Sequence, residues 1–229
     1  INNDSSISSH FTDPRLKNII GIASNEGQGY GIDGLADNVY MRNELEKYKN
    51  NINRSYSELY DGFLPGGNDG NSPLNPSDLK NEINNGSPLL LYVGHANEIS
   101  LSTTNFSNTH VSSLTNQNQY FLGSVVGCSI GSHDESVLTL SENLQIAENK
   151  GSIAMFVSSV LQDWTPPMHM QRRLNTNIIN STRIMTIGEL FKDSVVDTNF
   201  IVGTDFWYYH ILGDPCTRFV LTIPNVKNN

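Results

Sequence analysis

Two apolar runs in this chain each stop at a glycine, and each glycine is followed by a residue of nucleophile chemistry. Leu89-Leu90-Leu91-Tyr92-Val93-Gly94 leads into His95, and Tyr120-Phe121-Leu122-Gly123-Ser124-Val125-Val126-Gly127 leads into Cys128. Both runs have the length and composition of buried strands, and both break at glycine just before the polar residue. As parallel neighbours they would bring an imidazole and a thiol together at the carboxyl edge of one sheet, where open α/β sheets hold their active sites. A Cys–His pair at such an edge is an activated nucleophile. The imidazole takes the thiol proton, and the thiolate attacks a carbonyl carbon.

The remainder of the chain supplies the frame. Leu16–Ser24 reads as a first buried strand, followed by the loop Asn25–Ala36 with four glycines. Met41, Leu45 and Tyr48 form one stripe of a helix over about residues 37–50. Tyr56–Tyr60 reads as a short strand, and Asn75-Pro76-Ser77-Asp78 as a helix start, with an N-cap, a first-position proline and an early acid. Leu79 and Ile83 face inward from that helix, and Gly86 closes it. A short helix is expected near 109–117, and a longer one over about 136–149 on Val137, Leu140, Leu144 and Ala147. Ser152–Val160 is another buried strand. Thr165-Pro166-Pro167 opens a helix with Met170, Leu174 and Ile178 on one face, a further helix covers about 187–196, and Arg218–Ile223 is a closing strand. Strands and helices alternate, which predicts an α/β fold, a three-layer α/β/α sandwich on a mainly parallel sheet. Residues 1–229 read as one domain, with 1–14 a polar, loosely ordered arm.

Composition narrows the function. With 14 Lys and Arg against 23 Asp and Glu, the net charge is −9, which argues against nucleic acid as a partner and offers no basic belt to an anionic membrane. No apolar stretch reaches the ~18 residues of a membrane span. The chain starts at Ile1 with no signal peptide, so it reads as a mature or excised catalytic fragment whose targeting segment lies upstream. Cys128 and Cys216 carry no metal-ligand spacing. Cys216, in a turn after Asp214-Pro215, reads as a buried small hydrophobe, although the two cysteines could pair in a secreted protein.

Several polar residues follow strands and therefore belong to the same sheet edge: Glu26 and Asp37 after the first strand, His95, Cys128, and Gln162-Asp163-Trp164 after the strand at 152–160. Each has an ordinary alternative. Glu26 suits a solvated loop, Asp37 a helix N-cap, and Trp164 a loop anchor. His110, His133, His169 and His210 read as surface or satisfied core histidines, with His133 a decoy base because it lies near Cys128 in sequence.

Together these residues resemble the gingipain-type catalytic domain of the caspase-like cysteine peptidases. The resemblance is carried by Ile22-Ala23-Ser24-Asn25-Glu26-Gly27, by Tyr92-Val93-Gly94-His95, by Thr109-His110-Val111 with Leu114-Thr115-Asn116, and by Val126-Gly127-Cys128. It continues in Gly151-Ser152-Ile153-Ala154 with Trp164 and Pro167-Met168, and ends in Leu212-Gly213-Asp214-Pro215. It implies a caspase-like fold and a secreted or cell-surface cysteine endopeptidase of bacterial type, acting on polypeptides and flanked by other domains of a longer precursor. No cofactor is required, and a structural calcium ion is a further expectation. Cys128 would be the nucleophile, His95 the acid–base group and Glu26 the acid that orients it. The N–H groups of Ala96 and Cys128 would form the oxyanion hole. Asp37 would lie at the floor of the S1 pocket, as in arginine-specific members, with Trp164 over the P1 side chain and Asp163 and Met168 nearby. Ala96 stands where the family usually has glycine, and it keeps the N–H while losing glycine's backbone freedom. Other readings of the same residues are a sortase-like processing enzyme of the same family and a catalytically idle binding domain.

Overall fold

The computed structural model describes residues 17–62, 64–65, 73–133, 136–202 and 208–221; the expected arm at 1–14 lies outside them. Five strands run parallel: β1 (Asn18–Ala23), β2 (Ser55–Tyr60), β3 (Leu89–Val93), β7 (Phe121–Val126) and β8 (Ser152–Ser158). A sixth, β10 (Tyr209–Gly213), joins β8 antiparallel, and the sheet order is β10-β8-β7-β3-β1-β2. Between β3 and β7 the chain makes a small three-stranded sheet of β4 (Ala96–Asn97), β5 (Ser100–Leu101) and β6 (Phe106–Ser107). Further along, β9 (Met185–Thr186) pairs with β11 (Arg218–Phe219).

Strand residues alternate between two apolar clusters, one on each face of the sheet. Ile19, Leu89, Leu91, Leu122 and Phe156 face a layer built by α1 (Asp37–Ile52), α5 (Thr165–Asn180) and α6 (Ile187–Val202). Ile20, Leu90, Tyr92, Phe121 and Val157 face α2 (Pro76–Asn85), α3 (Asn108–Val111) and α4 (Leu140–Ile146). The result is the expected three-layer α/β/α arrangement. Burial on both faces explains why the strands are apolar throughout rather than alternating. The expected cap on α2 is present: Asn75 accepts from the Ser77 N–H at 2.9 Å, while Asp78 accepts from the Asn75 N–H at 2.8 Å.

Some expectations fail for identifiable reasons. The helix expected over 136–149 spans only Leu140–Ile146, because Thr139 and Glu142 close a capping box that sets its start. Val137, counted on the inner stripe, is 62% exposed. The helix expected at 109–117 is a single turn, Asn108–Val111, after which Leu114 inserts into the core through a turn. The closing strand is two residues long, and its expected end at 222–223 lies outside the described residues. Cys216 is exposed rather than buried, and both cysteines are free.

Candidate active site

The site forms where β1, β3, β7 and β8 end. One pocket is lined by Gly94 and His95 after β3, by Gly127 and Cys128 after β7, and by Gln162, Asp163 and Trp164 after β8. The register explains the meeting. Val93 is paired with Val126, so His95 and Cys128 each stand two residues beyond one rung of the ladder.

His95 is held on three sides. Its Nε2 lies 2.8 Å from Glu26 Oε2, and both side chains are more than half exposed, at 60% and 52%. Nδ1 is therefore the nitrogen left to exchange a proton with a thiol. The ring stands edge-on to Trp164, centroids 5.5 Å apart. Beneath it the Tyr92 hydroxyl donates to the His95 carbonyl. That tyrosine sits in the buried strand and contacts Thr103 as well; burial pushes its hydroxyl pKa up to about 12.

Cys128 follows Gly127, where the chain passes close to the β4 hairpin. A Cβ on Gly127 would come within 2.9 Å of the Ala96 Cβ, so this glycine allows the loops carrying His95 and Cys128 to touch. The next residue, Ser129, turns the chain through the left-handed region at φ 52°. The sulfur accepts the backbone N–H of Gln162 at 3.4 Å.

Ala96 is paired with Leu101 in the antiparallel ladder, and the Ser102 N–H donates to the His95 carbonyl. That pattern makes Ala96 a member of a non-hydrogen-bonded pair, so its N–H points away from β5. It is also absent from the residues with positive φ. Alanine therefore adopts this backbone without the strain that glycine would be needed to relieve.

Asp37 is fully buried. It is the first residue of α1 and does not cap it; Ala36 takes the cap position, without a side-chain bond. Its carboxylate instead accepts from the Ser24 hydroxyl at 2.6 Å and from Trp164 Nε1 at 2.7 Å. Burial raises its pKa, the two hydrogen bonds partly oppose this, and the charge on Glu26 adds to the rise. Asp61 is raised in the same way, by burial and then by Glu26. Asp163 is an exposed residue of the pocket rim. Met168 is fully buried in the core between α5 and the sheet, so its side chain is not part of the pocket wall. His133 belongs to a separate group: its ring lies 4.4 Å from that of His210, and its Nδ1 lies 3.6 Å from Glu142. Among the described residues no three His, Cys, Asp or Glu side chains are grouped so as to hold a metal ion.

The sequence reading missed Ser24, Gly27 and Tyr92 as parts of the site. Tyr92 carried a signal, since an aromatic hydroxyl inside an otherwise apolar buried strand must find a partner. Gly27 carried only its place in a glycine-rich loop.

The sequence matches Peptidase family C25 over residues 3–220. The chain belongs to that family. It is 30% identical over 162 residues to gingipain R2 and to gingipain R1 of Porphyromonas gingivalis, covering 67% of this chain but only 20% and 15% of those proteins. The fold is similar to that of the Arg-specific cysteine proteinase gingipain R, with a TM-score of 0.84 at 24% identity over 93% of this chain and 50% of that one. A complex of the RgpB pro- and mature domains superposes with a TM-score of 0.82, also at 24% identity, covering 92% of this chain and 51% of that one. This C25 domain thus has the expected caspase-like architecture and spans at most about half the length of these relatives.

Proposed function

We propose that this C25 domain is a cysteine endopeptidase that cleaves polypeptides after a basic residue. The observation that carries the reading is the single pocket lined by both His95 and Cys128 at the ends of adjacent parallel strands. In the reaction, the Cys128 proton passes to His95 Nδ1 and the thiolate adds to the scissile carbonyl. The oxyanion receives the N–H groups of Ala96 and Cys128. His95 then returns the proton to the departing amine, leaving an acyl-thioester. Water, deprotonated by His95, hydrolyses it and regenerates the thiol. Glu26 holds the imidazole and stabilises its charged form.

The preference for a basic P1 residue rests on charge. Asp37 and Glu26 both lie near the His95 imidazole, and Asp61 lies near Glu26. A desolvated guanidinium needs such an answer. A carboxylate offers about four lone-pair sites; Asp37 is fully buried and bonded to Ser24 and Trp164, so receiving a guanidinium requires the Trp164 indole to move aside. Trp164 covers the aliphatic stem, with a cation–π gain of about 0.5–2 kcal/mol. Arginine is favoured over lysine, because a planar fork pairs better with a carboxylate. The relatives named gingipain R and Arg-specific proteinase lend support. A secreted or surface location and flanking domains go with the same reading, supported by the acidic composition and by the small share of each relative that is covered.

The test is a peptidyl acyloxymethyl-ketone with Arg at P1, compared with Lys, Ala and Glu probes. Fast labelling of Cys128 by the Arg probe is expected, and Asp37→Asn should raise KM for Arg substrates while iodoacetamide still labels Cys128. A P1 profile favouring small or acidic residues would remove the specificity and leave the thiol chemistry standing.

A further inference from the structure

The loop that leaves β8 does more than wall the pocket. Its Gln162 N–H reaches Cys128 Sγ at 3.4 Å, closer than the Gln162 carbonyl at 4.0 Å. Several hydrogen bonds hold the loop there. The Ser158 hydroxyl, fully buried, donates to the Val160 carbonyl at 3.0 Å and accepts from the Val160 N–H at 3.2 Å. It also accepts from Gln162 Nε2. The nucleophile's own turn is tied to this loop twice, by Ser129 N–H to the Val160 carbonyl and by Gly131 N–H to the Ser158 carbonyl, each 2.9 Å. Sulfur and amide are thus held by two segments that are bonded to each other.

A neutral thiol gains little from an amide donor. A thiolate gains a charge-assisted hydrogen bond. We infer that the Gln162 backbone N–H stabilises the Cys128 thiolate and that Ser158 is the positioning residue that aims it. The inference rests on Cys128 being the nucleophile. It assigns to the β8 loop a share in activating the thiol that His95 and Glu26 do not supply. The titratable groups around the sulfur are His95 across the pocket, Asp163 on the same loop and Tyr209 from β10, and the substitutions below change none of them.

Three variants separate the effect. Gln162→Pro deletes the N–H, Gln162→Ala keeps it while removing the amide side chain, and Ser158→Ala releases the loop. The readouts are alkylation of Cys128 by iodoacetamide near neutral pH, measured by mass spectrometry against Cys216 in the same molecule, together with ultraviolet thiolate absorbance. Circular dichroism confirms folding. A hydrogen bond to a charged group supports a 10-fold or larger change in ionised fraction, and the more basic thiolate recovers part of it by higher nucleophilicity. Alkylation of Cys128 in Gln162→Pro and Ser158→Ala should therefore fall about 3- to 10-fold, with Cys216 unchanged, and Gln162→Ala, which keeps the N–H and loses only the bond to Ser158, should fall less than either. At alkaline pH, where the thiol is ionised regardless, the differences should vanish. If folded Gln162→Pro alkylates like the parent while parental Cys128 still outpaces Cys216, the inference falls and the peptidase reading survives. If parental Cys128 reacts no faster than Cys216, the nucleophile assignment itself falls. Should Gln162→Pro fail to fold, Ser158→Ala against Gln162→Ala decides by the same rates.

Discussion

Gly27→Ala puts the acidic loop to a quantitative test. Gly27 has φ +79°, and a Cβ there would lie 2.6 Å from Trp164 Nε1 and 2.7 Å from Asp37 Oδ1. A methyl group at that point separates the indole from the carboxylate. Left-handed backbone costs an alanine about 1–2 kcal/mol. Loss of a hydrogen bond to a buried charged group adds about 1.5–3 kcal/mol. At about 2–4 °C per kcal/mol for a chain of this size, the melting temperature should fall by about 5–20 °C. Gly29→Ala supplies the control, because Gly29 has φ +83° but nothing within 4 Å of its would-be Cβ. It should show the backbone cost alone. The paired assays are thermal unfolding and steady-state kinetics on an Arg substrate. Gly27→Ala should also raise KM, because Trp164 and Asp37 no longer meet, while Gly29→Ala leaves KM near the parent. Equal melting temperatures and equal KM in the two variants would refute the claim that the Asp37–Trp164 contact shapes the pocket.

Cys128→Ala and His95→Ala should each reduce kcat/KM by about 10³-fold or more, whereas Glu26→Gln should cost less than either and His133→Ala little; retention of more than a few per cent of activity in Cys128→Ala would end the assignment. Ala96→Gly should change kcat by less than about 3-fold and lower stability by up to about 1 kcal/mol, since the backbone there suits any residue; a large gain in kcat would mean that the alanine distorts the oxyanion hole. Burial, and then the charge on His133, hold the His210 imidazole below its ordinary value of 6.5. The unfolded chain then binds more protons than the folded one between the two pKa values, so stability rises with pH across that window and is lost as pH falls through about 6.5. His210→Gln should flatten the fall in melting temperature between about pH 7.5 and about pH 5 without abolishing it, because His169 is also lowered, by burial and by Arg172; an unchanged slope would count against this account.

The central strands and the Cys128–His95 edge were legible because burial on both faces writes itself as apolar runs, and the glycines mark where those runs end. Elements held by short-range polar bonds were not legible in the same way. The small sheet Ala96–Ser107 has strands of two residues, too short for any periodicity. β10 pairs with β8 antiparallel, and alternation of strands and helices says nothing about that. Asp37 shows the limit most clearly. Its position before an apolar stripe suited a helix cap, and only the tertiary approach of Ser24 and Trp164 decides where its oxygens point. Met168 fell the other way, because helical phase at the first turn after two prolines was ambiguous, and packing turned it into the core.

The segment that leads into Cys128 is anchored by the last strand of the large sheet. The Tyr209 hydroxyl donates to the Val125 carbonyl at 3.1 Å, and the Ser159 N–H to the Tyr208 carbonyl at 3.0 Å. These contacts join residues about 50 and 84 positions apart, so loop-closure entropy must be paid before they form. On a ribosome, a chain that has already exposed Cys128 still lacks the strand that steadies it. Cys128 is therefore made before its setting is complete, and that setting closes only when most of the domain has been synthesised and docked.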